Sequence, residues 1–327
     1  MTDNSANITF AEQINQILTL PSPLQKINDD KFTAHCMEVF VKRDDLIHPE
    51  ISGNKWRKLK YNLLDAQKQG IRQIVTFGGA YSNHIYATAA AGKYFGFETV
   101  GIIRGDELNE NSSETLRFAS KCGMKLHFLT RTEYRSLREQ PDANWIIQSY
   151  RNARIIPEGG TTPLSISGVG EMVDEIVEQL GQAPDYILCP VGTAGTISGI
   201  IANTNSQTKV IGVCVLKNGQ YLLNEIDTLL KSNTMSNVSR VLKPANINYE
   251  ILWSEHHGGY AKKTPELIDF VSKFNAEHDF EIEPIYSGKM FFAFYQHFLE
   301  IIKPNSKVVL VHTGGCRNNV ILPLYNI

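Results

Sequence analysis

Short, β-branched apolar runs alternate with helix-length segments along most of this 327-residue chain. Ile71 to Phe77, Glu98 to Ile103, Lys125 to Leu129, Asp185 to Val191, Lys209 to Val215 and Lys307 to Val311 read as strands. Tyr86 to Tyr94, Ser112 to Cys122, Glu171 to Leu180 and a stretch from about Thr196 read as helices. The runs Lys209 to Val215 and Lys307 to Val311 are of the fully buried sort, continuous in Val, Ile and Leu, as in strands covered on both faces. Strands parted by helices of this length cannot pair as hairpins, so parallel βαβ construction follows and the fold class is α/β. At roughly 150 residues per domain, the length fits two domains. Residues 51–156 hold a self-contained βαβαβ pattern between the turns Ile51-Ser-Gly-Asn54 and Pro157-Glu-Gly-Gly-Thr-Thr-Pro163. The expected organisation is a small domain, 51–156, inserted in a larger discontinuous one made of residues 1–50 and 157–327.

Thirty-two basic residues against thirty-four acidic ones give a formal net charge of −2, which leaves no excess positive charge for a nucleic-acid backbone. The five cysteines are odd in number, scattered and never spaced as C-x-x-C. That usage fits reduced thiols in the cytoplasm and argues against a disulfide framework or a cysteine zinc site. The first residues lack the basic and apolar regions of a signal peptide, and no apolar run approaches the ~20 residues of a membrane helix. A soluble cytoplasmic enzyme is expected, with neither nucleic acid nor membrane as a partner.

Ser52-Gly-Asn-Lys-Trp-Arg-Lys-Leu-Lys60 opens a helix that Ser52 or Asn54 can cap. Its start carries Lys55, Arg57, Lys58 and Lys60 with no acid, although cations at a helix N-terminus are unfavourable by roughly 0.3–1 kcal/mol each. An anion bound at that end removes the conflict; a solvated basic face has the same sequence signature. Lys55 and Lys58 share one face, so one can do chemistry while the other holds the anion.

In Thr76-Phe-Gly-Gly-Ala-Tyr-Ser-Asn-His84 a strand end passes through a glycine turn into a helix, the place where ligands of open parallel sheets bind. Ser82 and Asn83 stand there either as plain caps or with backbone N–H groups open to a carboxylate. His84 has no partner at metal spacing and reads as structural. Small residues fill every position of Gly192-Thr193-Ala194-Gly195-Thr196, just after a strand, leaving a nest of N–H groups that a phosphate can approach. The Gly-Lys-Ser/Thr ending of a P-loop is missing. Gly168-Val-Gly170 fails as a dinucleotide fingerprint, because Val173 takes the place of the third glycine and no strand precedes it. Glu283-Pro-Ile-Tyr-Ser-Gly-Lys289 and Val311-His-Thr-Gly-Gly-Cys316 complete the set; taken alone, they read as turns around Gly288 and Gly314-Gly315.

Asn54-Lys55, Ser82-Asn83-His84, Gly192 to Thr196, Tyr286-Ser-Gly-Lys289 and His312-Thr-Gly-Gly315 share their order with one family. From about Pro21 to His312 the chain resembles the 1-aminocyclopropane-1-carboxylate deaminase/D-cysteine desulfhydrase family, pyridoxal-phosphate enzymes related to the tryptophan synthase β subunit. The resemblance implies that fold, with pyridoxal 5′-phosphate between two domains, a small amino-acid substrate and a homodimer. It implies that Lys55 bonds the cofactor covalently and takes the Cα proton, while Lys58 and the Gly192–Thr196 loop hold the phosphate. Asn83 would contact the pyridoxal 3′-oxygen, and Ser82 the substrate carboxylate and the proton path. Tyr286, and Tyr260 in Gly258-Gly-Tyr260, match the family's active-site tyrosines. The cofactor lysine must be neutral to attack a carbonyl, and a cationic, partly desolvated setting, to which Lys58 contributes, lowers its pKa.

The ring-opening deaminase of this family has Glu directly after the active-site tyrosine, near the pyridine nitrogen. This chain has Ser287 there, with Thr313 as the neighbouring candidate. A hydroxyl carries no full charge and should leave the ring a weaker electron sink. The expectation is therefore β-elimination from D-cysteine or a related β-substituted D-amino acid, giving pyruvate, ammonia and sulfide. The alternatives are ring-opening deamination, dehydration or racemisation of a hydroxy amino acid, and a non-catalytic phosphate-ligand binder on the same fold.

Overall fold

The computed structural model describes residues 9–51, 53–139, 148–235 and 248–315. In chain order its strands are β1 (Leu24–Ile27), β2 (Glu38–Arg43), β3 (Gln73–Gly78), β4 (Glu98–Arg104), β5 (Lys125–Leu129), β6 (Arg154–Ile156), β7 (Tyr186–Val191), β8 (Lys209–Cys214), β9 (Tyr249–Leu252) and β10 (Lys307–His312). They form two sheets, one ordered β1-β2-β10-β7-β8-β9 and the other β5-β4-β3-β6. Every pairing is parallel except β1 with β2. This is the α/β class read from the alternating runs.

Both faces of the larger sheet are covered, which explains the uninterrupted apolar strands. Along β10, Val308 and Leu310 enter one core with Val39, Leu188, Phe291 and Phe294. Val309 and Val311 enter the opposite core with Ile187, Val191 and Ile197. In the smaller sheet Ile74 packs with Trp56, Leu59 and Ala90, whereas Val75 and Phe77 pack with Val100 and Ile102 on the other side. Phe10, Ile14 and Leu18 of the N-terminal segment join the Trp56 core, although β1 and β2, which follow them, belong to the larger sheet.

The helix expected over 171–180 begins at Pro163. Thr162 and Ser165 form a capping box and Pro163 takes the first turn, where a missing N–H costs nothing. Gly168 and Gly170 therefore lie inside a helix. A Cβ on Gly168 would stand 1.9 Å from the carbonyl oxygen of Arg57, and one on Gly170 2.5 Å from Asn203 Cγ. These glycines permit close helix packing. Gly288, read as a turn, likewise lies inside the helix Ser287–Ile301.

A buried charge network joins the two sheets' surroundings. Arg57 bonds Asp44 just after β2 (2.8 Å) and Glu175 on the helix Pro163–Leu180 (2.6 Å), and Lys42 reaches the same Glu175 at 2.7 Å. With both carboxylates in contact, the guanidinium stays charged despite burial, its pKa raised. Among the described residues Cys36, Cys122, Cys189 and Cys214 are free thiols, and no helix is long and apolar enough to cross a membrane.

Candidate active site

The helix Asn54–Lys68 starts against the end of β10. Gly53 occupies its cap position with φ of +67°, and Asn54 N–H donates to the Thr313 carbonyl at 3.2 Å. Asn54 does not cap the helix, which has no side-chain cap bond; its amide donates to Thr196 Oγ1 at 2.9 Å. Ser52, the other cap candidate, lies outside the described residues. One hydrogen-bonded cluster thus joins Asn54, Thr196 and Thr313, three widely separated motifs.

The four cations of this helix have different fates. Arg57 is neutralised by Asp44 and Glu175, and Lys60 by Glu171 at 2.6 Å, so neither seeks an anion. Lys55 is half-buried, and burial lowers its pKa to about 8. The lowering was expected to come partly from Lys58, but desolvation is its cause. Lys58 is fully buried, and its ammonium donates to the Gly159 carbonyl (3.1 Å) and Thr193 Oγ1 (3.0 Å). Burial first, and then the charge of Lys55, push its pKa well below the ordinary lysine range. A buried ammonium held by neutral oxygens is short of negative charge, which an anion would supply.

That anion has a cradle. β7 ends at Val191, and the helix Ala194–Asn203 starts three residues later with Thr193 at its cap. Thr193 makes no side-chain cap bond; its hydroxyl accepts from Lys58 instead. A Cβ on Gly195 would lie 2.6 Å from Thr161 Oγ1 and 3.0 Å from Lys58 Nζ, so only glycine leaves the space beside the lysine open. Ala194 and Thr196 are buried next to it. Unpaired helix N–H groups, small side chains and a buried ammonium fit a phosphate. A Cβ on Gly192 would stand 2.7 Å from Tyr286 Cε1, which brings the C-terminal motif to this loop.

Ser82 and Asn83 begin the helix Asn83–Phe95 beyond β3. Ser82 is the cap, accepting from Ile85 N–H at 3.3 Å, and Asn83 is the first helical residue. The Asn83 amide lies 3.2 Å from where a Cβ on Gly315 would stand, so this helix start faces the end of β10. His84 is buried behind it. Thr76 hydroxyl donates to the Ile156 carbonyl (2.8 Å), so it accepts from His84 Nε2 at 2.7 Å and leaves Nδ1 as the bare acceptor. Burial and the two lysine charges hold this imidazole neutral.

Tyr286 caps the helix Ser287–Ile301, its ring edge-on to that of Tyr260 at 5.9 Å. Burial and a hydrogen bond with Tyr260 raise the Tyr286 pKa strongly. Ser287 is fully buried, and among the described residues its hydroxyl has no hydrogen-bond partner. A buried orphan hydroxyl beside the other motifs fits a ligand with a polar ring atom.

Two residues of this segment were given no role in the sequence reading. Glu283 accepts from the N–H groups of Tyr286 (2.9 Å) and Ser287 (2.7 Å), standing in for the missing helix cap. Burial raises its pKa to about 7 in spite of those donors. Lys289 donates to the carbonyls of His256 and Gly259, both at 2.8 Å, and so fixes the loop that presents Tyr260. An acid ahead of a helix start was the available signal for Glu283; nothing local marks Lys289.

The site therefore gathers the C-terminal ends of β3, β7 and β10, from both sheets, around Lys55. A family model for pyridoxal-phosphate dependent enzymes matches residues 17–314. The chain is 29% identical over 320 residues to the bifunctional D-cysteine desulfhydrase/1-aminocyclopropane-1-carboxylate deaminase, mitochondrial, of Arabidopsis thaliana, covering 90% of this chain and 76% of that protein. It is 26% identical over 315 residues to a D-cysteine desulfhydrase of Klebsiella pneumoniae, covering 92% and 93%. A solved ACC deaminase homologue superposes with a TM-score of 0.78 at 25% identity, over 92% of this chain and 91% of that one. Together with a lysine pair, a glycine-lined cradle and an orphan hydroxyl in one place, these likenesses show that the chain belongs to the family of pyridoxal-phosphate dependent enzymes and has their tryptophan synthase β-like fold.

Proposed function

We propose that this enzyme catalyses β-elimination of D-cysteine or a related β-substituted D-amino acid. One water is consumed, and pyruvate, ammonia and sulfide are released. The observation that carries this reading is the buried, unpartnered hydroxyl of Ser287, in the position that a carboxylate occupies in the ring-opening branch. Pyridoxal phosphate, when bound, supplies the electron sink for negative charge at the substrate Cα. In this reading the Lys55 amine carries the cofactor and then takes the Cα proton, a task suited to a lysine whose pKa lies near 8. Lys58, Thr193 and the glycine-lined helix start hold the phosphate. Asn83 would contact the cofactor's 3′-oxygen, Ser82 and the N–H groups behind it would receive the substrate carboxylate, and Ser287 and Thr313 would serve the ring nitrogen. Tyr286 and Tyr260 close the substrate side, and the high pKa of Tyr286 keeps its hydroxyl a proton donor.

One observation favours ring opening of 1-aminocyclopropane-1-carboxylate instead. Glu283 brings a buried carboxylate within a few ångströms of Gly315, its Cδ 3.7 Å from the position of a Cβ there. Its backbone donors account for that carboxylate as a helix cap, so elimination is the preferred reading. The family match gives no support to the non-catalytic alternative. A cytoplasmic homodimer is part of the proposal, as is the division into residues 51–156 and the flanking 1–50 and 157–327. The two sheets agree with that division, with Phe10, Ile14 and Leu18 packing across it.

A product assay over D- and L-cysteine, β-chloro-D-alanine, D-serine and 1-aminocyclopropane-1-carboxylate tests the reaction. Sulfide and pyruvate from D-cysteine, with little or no 2-oxobutanoate from the cyclopropane, are expected. Efficient ring opening without action on D-cysteine overturns the assignment.

A further inference from the structure

The turn that leads from β3 to Ser82 also forms one wall of a cavity of about 690 Å³. Gly79 and Tyr81 line it from the turn, Arg104 from the end of β4, Glu107 from the loop beyond, and Arg131 and Arg135 from the helix that follows β5. This is the C-terminal edge of the smaller parallel sheet, the edge where such sheets bind ligands.

Three guanidiniums face one carboxylate here. Glu107 is taken by Arg131 at 2.6 Å. Among the described residues, Arg104 and Arg135 have no carboxylate partner, like the exposed Arg117 and Arg151 and unlike Arg43, Arg57 and Arg154; what sets them apart is that both line one cavity. Arg104 is solvent-exposed, as are Arg131 and Arg135. The Arg104 guanidinium lies over the Tyr134 ring, 5.8 Å from the centroid, and Nη2 is 3.7 Å from the position of a Cβ on Gly79. In a chain of formal net charge −2, two uncompensated arginines on one cavity form a local excess of positive charge. Guanidinium forks match planar or tetrahedral oxyanions with paired N–H donors.

We propose that this cavity binds an acidic group, a carboxylate or a phosphate, through Arg104 and Arg135. The group has two possible sources with the same chemistry. It is carried on the side chain of the amino acid held at the adjoining Ser82–Asn83 helix start, a source that rests on the elimination reading. Otherwise it belongs to a separate small anion, a source independent of that reading.

The holoenzyme and its Arg104→Gln/Arg135→Gln variant separate these in two measurements. The first is the ratio of kcat/KM for O-phosphoserine to that for O-acetylserine, both enantiomers, two β-substituted amino acids that differ in side-chain charge. A substrate-borne acid predicts that this ratio falls about tenfold or more in the variant, mainly through KM. The second is the melting temperature in inorganic phosphate against chloride at equal ionic strength. A separate anion predicts a phosphate-specific rise that the variant lacks. An unchanged ratio together with no phosphate-specific rise overturns the proposal. If no β-substituted amino acid is turned over, the elimination reading fails, and the phosphate measurement alone decides the cavity. Should the double variant fail to fold, Arg135→Gln, on an exposed helix position, carries the same comparisons.

Discussion

The carbonyl oxygen of Thr313 lies 1.8 Å from the place a Cβ on Gly53 would occupy, and the same oxygen accepts the N–H of Asn54 at 3.2 Å. The helix that carries Lys55 is thus seated directly on the end of β10. The Lys55 side chain, the proposed cofactor anchor, is positioned by a backbone contact that only glycine allows, at a φ of +67°.

Gly53→Ala should therefore displace the helix start without dismantling the sheets. We expect a near-native far-UV spectrum and a cofactor affinity lowered by about tenfold or more, since strain and overpacking of this kind cost roughly 1–3 kcal/mol. Absorbance titration of the apoprotein with pyridoxal phosphate measures it. Wild-type affinity in this variant would show that the seat does not position Lys55.

Lys55 sets a pH dependence whose sign follows from burial. Desolvation disfavours the ammonium and lowers its pKa from 10.5 to about 8. The rate of cofactor capture by the apoprotein should climb with pH up to about 8 and then level off, whereas an ordinary lysine would drive it upward to about pH 10.4. Because the folded pKa lies below the unfolded one, the apoprotein should also gain stability between about pH 8 and 10.5. Borohydride reduction and peptide mapping should place the pyridoxyl group on Lys55. Label on Lys58 or Lys289 sinks the assignment.

Gly195→Asp probes the cradle. Its side chain would enter the space beside Lys58 Nζ, 3.0 Å from the Cβ position, and present a carboxylate to a buried ammonium that has no other. The apoprotein should fold, its Lys58 now paired, while cofactor affinity drops about a hundredfold or more from like charge in the phosphate's place. A variant that purifies with full cofactor locates the phosphate elsewhere.

The sequence made the central strands legible because burial on both faces removes polar residues from them, as in Val308 to Val311. β1, with Gln25 and Lys26 in its four residues, is an edge strand exposed enough to keep polar side chains, and no apolar run marks it. Gly168 and Gly170 failed as a dinucleotide fingerprint and left no other role in view, yet both serve helix packing: Gly168 lies against the Arg57 carbonyl, more than a hundred residues away in the chain, and Gly170 against Asn203. The same distance hid the truth about the basic helix start. Its lack of nearby acids was real, but Glu171 and Glu175 neutralise Lys60 and Arg57 from the far helix. Only Lys55 and Lys58 remained for the site. Most motif residues were legible because they end a strand or begin a helix, places that sequence marks with Gly, Ser, Thr and Asn; Tyr260 is the exception, in the loop after β9. Glu283 escaped because its role depends on folding back onto the helix that starts at Ser287.

Ser287 offers a test with opposite signs in the two forms of the protein. Its hydroxyl is buried and lacks a partner, a state that costs roughly 1–3 kcal/mol if nothing satisfies it. Ser287→Ala removes the group and only a small volume, so the apoprotein should melt at the same temperature or higher. In the holoenzyme the hydroxyl is expected to bond the cofactor ring, and its loss should weaken cofactor binding about two- to tenfold, the range of a net hydrogen bond of roughly 0.5–1.5 kcal/mol. Melting temperatures of the two forms, with a cofactor titration, read both effects. A purely structural serine would instead lower the stability of both forms alike and leave cofactor affinity untouched. That pattern would remove Ser287 from the site and, with it, the argument that a hydroxyl rather than a carboxylate tunes this enzyme toward elimination.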